Sequence, residues 1–157
     1  MPRDGRLSRF PDWYPMTFFS TISPTGVLSR AISSDQRFGD YMAAYGRGGL
    51  RALEYGTLKQ LARLYWYTVE FGLIQEAEGL RIYGAGIVSS YGESVFALDN
   101  PSPSRIMFDL ERVLRTEYRI DDYQQNYFVI PSLDELLRVT VETDFKPVYD
   151  KIAGLPD

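Results

Sequence analysis

The chain has 157 residues, the length of one ordinary domain, and its 45% hydrophobic and 24% charged residues are typical of a globular protein. A formal net charge of -4 argues against a general attraction to nucleic acid or anionic membranes, and the lack of cysteine excludes disulfides and thiolate chemistry. We expect one cytoplasmic domain with neither a nucleic-acid nor a membrane partner, since no apolar run reaches membrane-spanning length.

The first 34 residues differ in character from the rest of the chain. Residues 2–34 are rich in Ser, Thr, Pro and Arg with scattered aromatic residues, and no helical or strand period lasts beyond a few positions. The pattern becomes regular from Asp35 onward. We therefore expect an irregular segment over residues 1–34 and an ordered domain over residues 35–157.

The ordered part begins with a predicted short helix. Phe38, Tyr41, Met42 and Tyr45 recur at positions i, i+3, i+4 and i+7, which is the spacing of one apolar helix face. The glycine-rich run at 46–49 then predicts a turn that ends this helix.

A second, longer helix is predicted over residues 50–70. Gly56 is a position where this helix could bend, and Gly72 follows its end. Its apolar stripe is formed by Leu50, Leu53, Leu58, Leu61, Tyr65 and Val69.

Shorter elements follow in the second half of the chain. In chain order we predict a hairpin over 73–84, a short helix over 85–98, a loop over 101–104, a helix over 108–118 with Asp109 near its start, a short strand over 127–130 and a last helix from Ser132. Ser132 and Glu135 have the spacing of a capping box at the start of that last helix. The fold class predicted is mainly α with a minor β hairpin.

Glu70 is the charged residue whose surroundings are hardest to explain. It lies in the run LYWYTVEFGL among aromatic and β-branched residues, at the end of a predicted helix where the macrodipole disfavours an anion. A buried carboxylate needs a partner that replaces its lost hydration. That partner is either a metal ion or Arg63, two turns earlier on the same face, and the residues alone favour the ion pair.

A glycine-rich segment, YGAGIVSSYGES, connects the predicted hairpin to the next helix. Gly84 and Gly86 indicate a close approach of backbone, and Ser89 and Glu93 present polar groups on the following turns. The glycine spacing does not match a dinucleotide-binding fingerprint. The segment is either a tight strand-to-helix connection or one wall of a pocket.

Four segments together carry a family resemblance: FGDYMAAYGRGG, LARLYWYTVEFGL, RIYGAG and SSYGES. From about Asp35 to near the C-terminus the chain resembles the catalytic domain of the tetrahydropterin-dependent aromatic amino acid hydroxylases, and it looks most like the compact bacterial phenylalanine 4-hydroxylases. The resemblance implies that residues 35–157 are the C-terminal part of that domain. It also implies that L-phenylalanine is hydroxylated to L-tyrosine with O2, Fe(II) and a reduced tetrahydropterin.

The resemblance implies roles for individual residues. Glu70 corresponds to the carboxylate ligand of a mononuclear Fe(II), whose other two protein ligands in the family are histidines. Tyr65 falls at a position beside the iron and the pterin. The positions of the amino-acid pocket correspond to Trp66, Phe71, Gly86, Ser89 and Glu93. Ser89 also matches a position that orients a ligand histidine.

The chain departs from the family at the two histidines. It contains no histidine, and the place of the family's histidine helix is occupied by Trp13–Ser34, which contains no His, Asp, Glu or Cys. One carboxylate cannot hold Fe(II) usefully, so we predict negligible hydroxylase turnover for this chain alone. A frame-shifted or mis-started N-terminal segment would explain the abrupt loss of resemblance.

Three functional hypotheses follow from this sequence. The first is a phenylalanine 4-hydroxylase by descent with an incomplete N-terminal half. The second is an iron-free module that binds an aromatic amino acid through Tyr65, Trp66 and Phe71. The third is an assembly partner that docks on an intact homologue. The exposed core of this chain would also favour self-association. Without metal, we expect Glu70 to have a raised pKa or to turn toward Arg63 or solvent.

Overall fold

Helices predominate in residues 35–157, the part of the chain that the computed structural model describes. The α-helices of this part are α1 Gln36–Tyr55, α2 Leu58–Tyr65, α3 Ala85–Val88, α4 Tyr91–Asp99, α5 Leu110–Arg115, α6 Leu133–Glu142 and α7 Phe145–Ile152. A π-helical turn, Trp66–Glu70, continues α2, and the strands are β1 Leu73–Glu76, β2 Gly79–Ile82, β3 Ser104–Met107 and β4 Asn126–Ile130. The prediction of a mainly α fold with a minor β component is confirmed.

The first helix is longer than predicted. Helix α1 begins after Asp35, whose carboxylate accepts a hydrogen bond from the backbone N–H of Arg37, and it continues through the glycines at 46–49. The predicted turn at 46–49 is therefore wrong. Burial of Ala52, which is 0% exposed, extends the packed face of the helix past these glycines, and tertiary packing outweighs a propensity loss of about 1 kcal/mol per glycine.

The break between the first two helices lies at Gly56. Its φ of 68° is left-handed, and its N–H bonds to the carbonyls of Ala52 and Leu53, so α1 ends there. The predicted helix over 50–70 is consequently divided. Its stripe is divided as well, since Leu61 is buried on α2 whereas Leu50 is 70% exposed on α1.

The sheet contains the predicted hairpin and two further strands. Its order is β2-β1-β4-β3, and β1 pairs antiparallel with β2 from Leu73↔Ile82 to Glu76↔Gly79. Strand β4 confirms the predicted strand over 127–130 and pairs in parallel with both β1 and β3. Strand β3 was not predicted, and the predicted loop over 101–104 includes its first residue. It is a short, partly exposed edge strand that owes its conformation to pairing with β4.

The remaining helices depart from the predictions mainly at their ends. The Ser132 half of the predicted capping box is confirmed, since its hydroxyl accepts the backbone N–H of Glu135 at 3.0 Å. The Glu135 carboxylate instead accepts hydrogen bonds from Arg138. The helix predicted over 85–98 is two helices, α3 and α4, because the hydroxyl of Ser90 caps a new start by accepting the N–H of Glu93. Helix α6 is followed by α7, which Asp144 caps and which was not predicted.

Two hydrophobic clusters lie beside the candidate site. The larger one packs α1 and α2 against the later helices, with Tyr41, Leu64 and Phe128 among its buried side chains. The smaller one centres on Leu73 and Ile87. Within residues 35–157, no helix is long and apolar enough to cross a lipid bilayer.

Candidate active site at the end of the π-helical turn

The π-helical turn Trp66–Glu70 sets the geometry of the candidate site. The backbone N–H of Phe71 donates to the carbonyl of Trp66, five residues earlier, at 2.8 Å. Turns of this kind are rare, and many of them lie at functional sites. The regular helix predicted up to Glu70 is therefore wrong over its last five residues, where the wider turn adds one residue between α2 and β1.

The Glu70 carboxyl lies largely buried at the end of this turn. The hydroxyl of Tyr65 donates to its Oε1 atom at 3.4 Å. Burial raises the pKa of Glu70 to about 7, and the hydrogen bond from Tyr65 acts in the opposite direction. This confirms the expectation of a raised pKa. Burial and the Glu70 carboxylate also raise the pKa of Tyr65.

Arg63 does not pair with Glu70. Its buried guanidinium donates to the carbonyl of Leu114 at 2.9 Å and to the carboxylate of Asp157 at 2.7 Å. The structure thus contradicts the predicted alternative of an Arg63–Glu70 pair. The extra residue of the π-helical turn explains the difference, because it rotates Glu70 away from the helix face that Arg63 would share with it in a regular helix.

Two glycines let the start of α3 lie directly against Glu70. A Cβ atom at Gly84 would be 2.4 Å from the Glu70 carbonyl oxygen. A Cβ at Gly86 would be 3.0 Å from the Glu70 Oε2 atom and 2.9 Å from Cζ of Phe71. The expected close approach of backbone is confirmed, and it brings Gly86 and Phe71 to the carboxylate.

Trp66 lies in a stack of three aromatic rings. Its ring centroid is 4.6 Å from that of Phe71 and 4.3 Å from that of Tyr118, with interplanar angles of 28° and 15°. The indole N–H donates to Oε1 of Gln124 at 3.0 Å. The indole is thereby held by two neighbouring rings and one hydrogen bond, which makes it a rigid wall.

Glu93 belongs to a buried polar network and is more than a helix-start residue. Its side chain is almost fully buried, and its Oε1 atom accepts the hydroxyl of Tyr127 in a short hydrogen bond and the backbone N–H of Gln124 at 3.3 Å. Burial and the hydrogen bond to Glu93 raise the pKa of Tyr127. Gln124 therefore connects Glu93 to Trp66.

Three further residues belong to the site but are not predicted by the sequence patterns, namely Gln124, Tyr127 and Tyr118. Gln124 stands in the polar run DDYQQN, which is typical of a loop, and Tyr127 was noted only as part of a strand. No local pattern distinguishes Gln124 from Gln125, yet Gln124 is buried and Gln125 is exposed.

Ser89 lies at the periphery of this arrangement. Its hydroxyl donates to the carbonyl of Gly86 at 2.9 Å, and its side chain is exposed. It is joined to the other predicted residues through the backbone of Gly86. The structure thus brings Tyr65, Phe71 and Gly86 to Glu70. It joins Glu93 to Trp66 through Gln124.

The residues present do not make a complete metal site. Between residues 35 and 157, no group of three or more His, Cys, Asp or Glu side chains gathers where a metal ion could bind. Glu70 offers one carboxylate, and Fe(II) sites of this class take two histidines as well.

Comparison with known families identifies the class of protein. A family model described as biopterin-dependent aromatic amino acid hydroxylase matches residues 29–147, which is most of the chain. The chain therefore belongs to the biopterin-dependent aromatic amino acid hydroxylases. This finding confirms the resemblance stated from the sequence.

Several of its relatives within that family are phenylalanine-4-hydroxylases. The protein of that name from Caulobacter vibrioides is 64% identical over 124 residues, covering 79% of this chain and 42% of the relative. The one from Ralstonia nicotianae is 60% identical over 119 residues, covering 76% of this chain and 38% of the relative.

A solved structure shows the same fold. The iron- and phenylalanine-bound phenylalanine hydroxylase from Chromobacterium violaceum matches with a TM-score of 0.74 and 52% identity, over 76% of this chain and 44% of that chain. This chain thus spans less than half the length of the relatives it matches.

Proposed function

We propose that residues 35–157 form the carboxylate-bearing half of a phenylalanine 4-hydroxylase site, with Glu70 as the carboxylate ligand of Fe(II). The observation that supports this most is the position of Glu70. Its carboxyl is largely buried with a raised pKa, and it lies against Gly86 beside a fixed aromatic stack. A bound cation would stabilise the charged form that burial disfavours.

The same geometry supports roles for the neighbouring residues. Trp66 and Phe71 provide flat apolar surface for the ring of L-phenylalanine, and Gly86 lets backbone approach the substrate closely. Glu93 holds the wall through Gln124, while Ser89 supports the turn at Gly86. Tyr65 lies beside the carboxylate, on the side proposed for the reduced tetrahydropterin.

We propose that this chain by itself has negligible turnover. In the full reaction, O2 and a tetrahydropterin are consumed and L-tyrosine is formed, and Fe(II) needs its complete ligand set for this. The sequence offers no histidine.

We also propose that the chain divides into residues 1–34 and 35–157, and that a frame-shifted or mis-started first segment explains the missing histidines. Translation of the encoding DNA in all three frames tests it, since a His-x-x-x-x-His segment just before the codon for Asp35 is expected.

A chimera tests the role of Glu70 directly. The N-terminal part of the Caulobacter vibrioides relative is joined to residues 35–157 at the position equivalent to Asp35 and loaded anaerobically with Fe(II). We expect stoichiometric iron and pterin-dependent formation of tyrosine. Glu70→Gln should abolish both, whereas Glu54→Gln, a change at an exposed glutamate of α1, should leave both intact. Iron binding that survives Glu70→Gln would contradict the proposal.

The unmodified chain provides the complementary measurement. Under the same conditions we expect no stoichiometric iron and no tyrosine. Calorimetry of the metal-free chain with L-phenylalanine separates the iron-free binding hypothesis, which requires heat beyond dilution, from the hydroxylase fragment proposed here.

Self-association is a further proposal, and one surface supports it. Leu50 and Leu53 on α1 are 70% and 64% exposed, and exposed apolar side chains close together favour association. Sedimentation of the chain, alone and with an intact homologue, tests this, and Leu50→Ser with Leu53→Ser should shift any oligomer toward monomer. We also propose a cytoplasmic location, which the lack of cysteine supports.

A further inference from the structure

A buried threonine lies inside the π-helical turn. Thr68 is 0% exposed, and its hydroxyl donates to the carbonyl of Leu64, four residues earlier, at 2.6 Å. The hydroxyl of Tyr41, which is 1% exposed, lies 2.7 Å from the Thr68 oxygen. Because the Thr68 proton is directed at Leu64, Tyr41 is the donor in this second hydrogen bond.

These two bonds connect the wide turn to another helix. A threonine that bonds the carbonyl four residues earlier perturbs the backbone ladder and bends a helix. Here that perturbation falls just before the five-residue bond from Phe71 to Trp66. Tyr41 lies on α1, so the hydroxyl of Thr68 is held from outside its own helix.

The register of this turn decides where the Glu70 carboxylate points. Each residue of an α-helix advances by about 100°, and the π-helical turn accommodates one extra residue. If the turn took the α register instead, the side chain of Glu70 would rotate by about that angle. Glu70 would then leave its place against Gly86, where a Cβ would be 3.0 Å from Oε2. The direction of this carboxylate thus depends on what keeps the turn wide.

We propose that Thr68 is a positioning residue. Its hydroxyl, held by Tyr41, keeps Trp66–Glu70 in the π register and thereby directs Glu70 into the site. The functional part of this inference rests on the proposed role of Glu70 as a metal ligand. The structural part does not, because the register is a property of the backbone that can be measured independently of metal binding.

The register can be measured by NMR in the full chain without metal. Couplings across hydrogen bonds identify which carbonyl accepts the amide of Phe71. In the unmodified chain we expect a coupling to the carbonyl carbon of Trp66. In Thr68→Val it should move to the carbonyl carbon of Tyr67, the partner in a regular helix, and Thr68→Ser should keep it at Trp66 because the hydroxyl is retained.

Thr140 provides the matched control. It is a buried threonine whose hydroxyl donates to the carbonyl of Leu136, four residues earlier, at 2.9 Å within the regular helix α6. Thr140→Val removes the same kind of hydrogen bond, and it should leave the coupling of Phe71 unchanged. If buried threonines act only on stability, Thr68→Val will resemble Thr140→Val and the proposal fails.

Tyr41→Phe is a milder variant that decides the question if Thr68→Val does not fold. It removes only the hydroxyl that holds Thr68, so we expect a mixture of registers in which Phe71 couples to both Trp66 and Tyr67. A single unchanged coupling to Trp66 in this variant would overturn the proposal. A register that shifts as expected, combined with a chimera that binds iron without Glu70, would instead refute the ligand role alone.

Discussion

Trp66 donates its indole N–H to the side-chain carbonyl of Gln124, 3.0 Å away and 58 positions later in the chain. The same Gln124 donates its backbone N–H to Glu93 and its side-chain N–H to the carbonyl of Arg119. Gln124 thus joins the aromatic wall at Trp66 to the buried carboxylate of Glu93. The position of Trp66 therefore depends on a residue of the loop before β4.

Replacement of Gln124 by leucine should destabilise the chain by about 1–3 kcal/mol, because partly buried donors and acceptors lose their partners. Urea unfolding at neutral pH measures this. Gln125→Leu is the matched control, since its side chain is exposed, and its effect should be below about 0.5 kcal/mol. Equal effects of the two changes would show that the Gln124 network contributes little.

The stability of the chain should fall as the pH rises through the titration of Glu70. Burial raises the pKa of Glu70 from 4.5 to about 7, so between these values the folded chain binds more protons than the unfolded chain. The free energy of unfolding therefore decreases with rising pH across this window. The contribution of Glu70 is fully present below pH 4.5 and is lost above about pH 7.

Glu70→Gln isolates this contribution. The variant should equal the unmodified chain near pH 4.5 and exceed it in stability by about 3 kcal/mol at pH 8, because the amide carries no charge to desolvate. Urea unfolding at both pH values provides the measurement, with Glu54→Gln as the exposed control. Parallel pH profiles for Glu70→Gln and the unmodified chain would contradict the raised pKa.

Gly84→Ala should destabilise the chain by about 2–3 kcal/mol, because the new Cβ would lie 2.4 Å from the Glu70 carbonyl oxygen, and rigid backbone must shift. Gly46→Ala is the opposite case. Nothing lies within 4 Å of a Cβ at Gly46 in α1, so the alanine should stabilise the helix by about 0.5–1 kcal/mol. Thermal unfolding of both variants should show shifts of opposite sign.

Arg63→Met should destabilise the chain by about 2 kcal/mol, because the buried carbonyl of Leu114 loses a charged donor although the volume of the side chain is largely kept. Arg51→Met, at an exposed position of α1, is the control and should change the free energy of unfolding by less than about 0.5 kcal/mol. If Arg63 were instead a partner of Glu70, Arg63→Met would also change the pH profile between pH 4.5 and about 7. We expect no change in that window, because the pKa that Arg63 lowers is that of Asp157, which titrates at lower pH.

Local patterns predicted the elements whose causes are local. The spacing of Ser132 and Glu135 located the start of α6, and the short apolar runs around EAEG located the hairpin β1–β2. Glycines show the limit of such patterns. Those at 46–49 continue a helix and Gly56 ends one, and the choice depends on which neighbours are buried in the folded chain.

In the candidate site, too, local patterns indicate some residues, whereas others depend on contacts between distant parts of the chain. Glu70 could be singled out because a carboxylate among aromatic residues is unusual in any sequence, and the family resemblance then supplied its role. The π-helical turn could not be predicted, since it depends on Thr68 meeting Tyr41 of another helix. Gln124 could not be predicted either, because its contact with Trp66 closes a long loop.

The hairpin β1–β2 has a consequence for the order in which the site is built. It returns the chain so that Gly84 meets Glu70 across only 14 residues of sequence, which is a short loop to close. Contacts of low sequence separation form early in folding. We therefore expect the contacts of Glu70 with Gly84 and Gly86 to form first, before the aromatic stack around Trp66 is in place. The contact between Trp66 and Gln124 then forms last, when β4 docks beside β1.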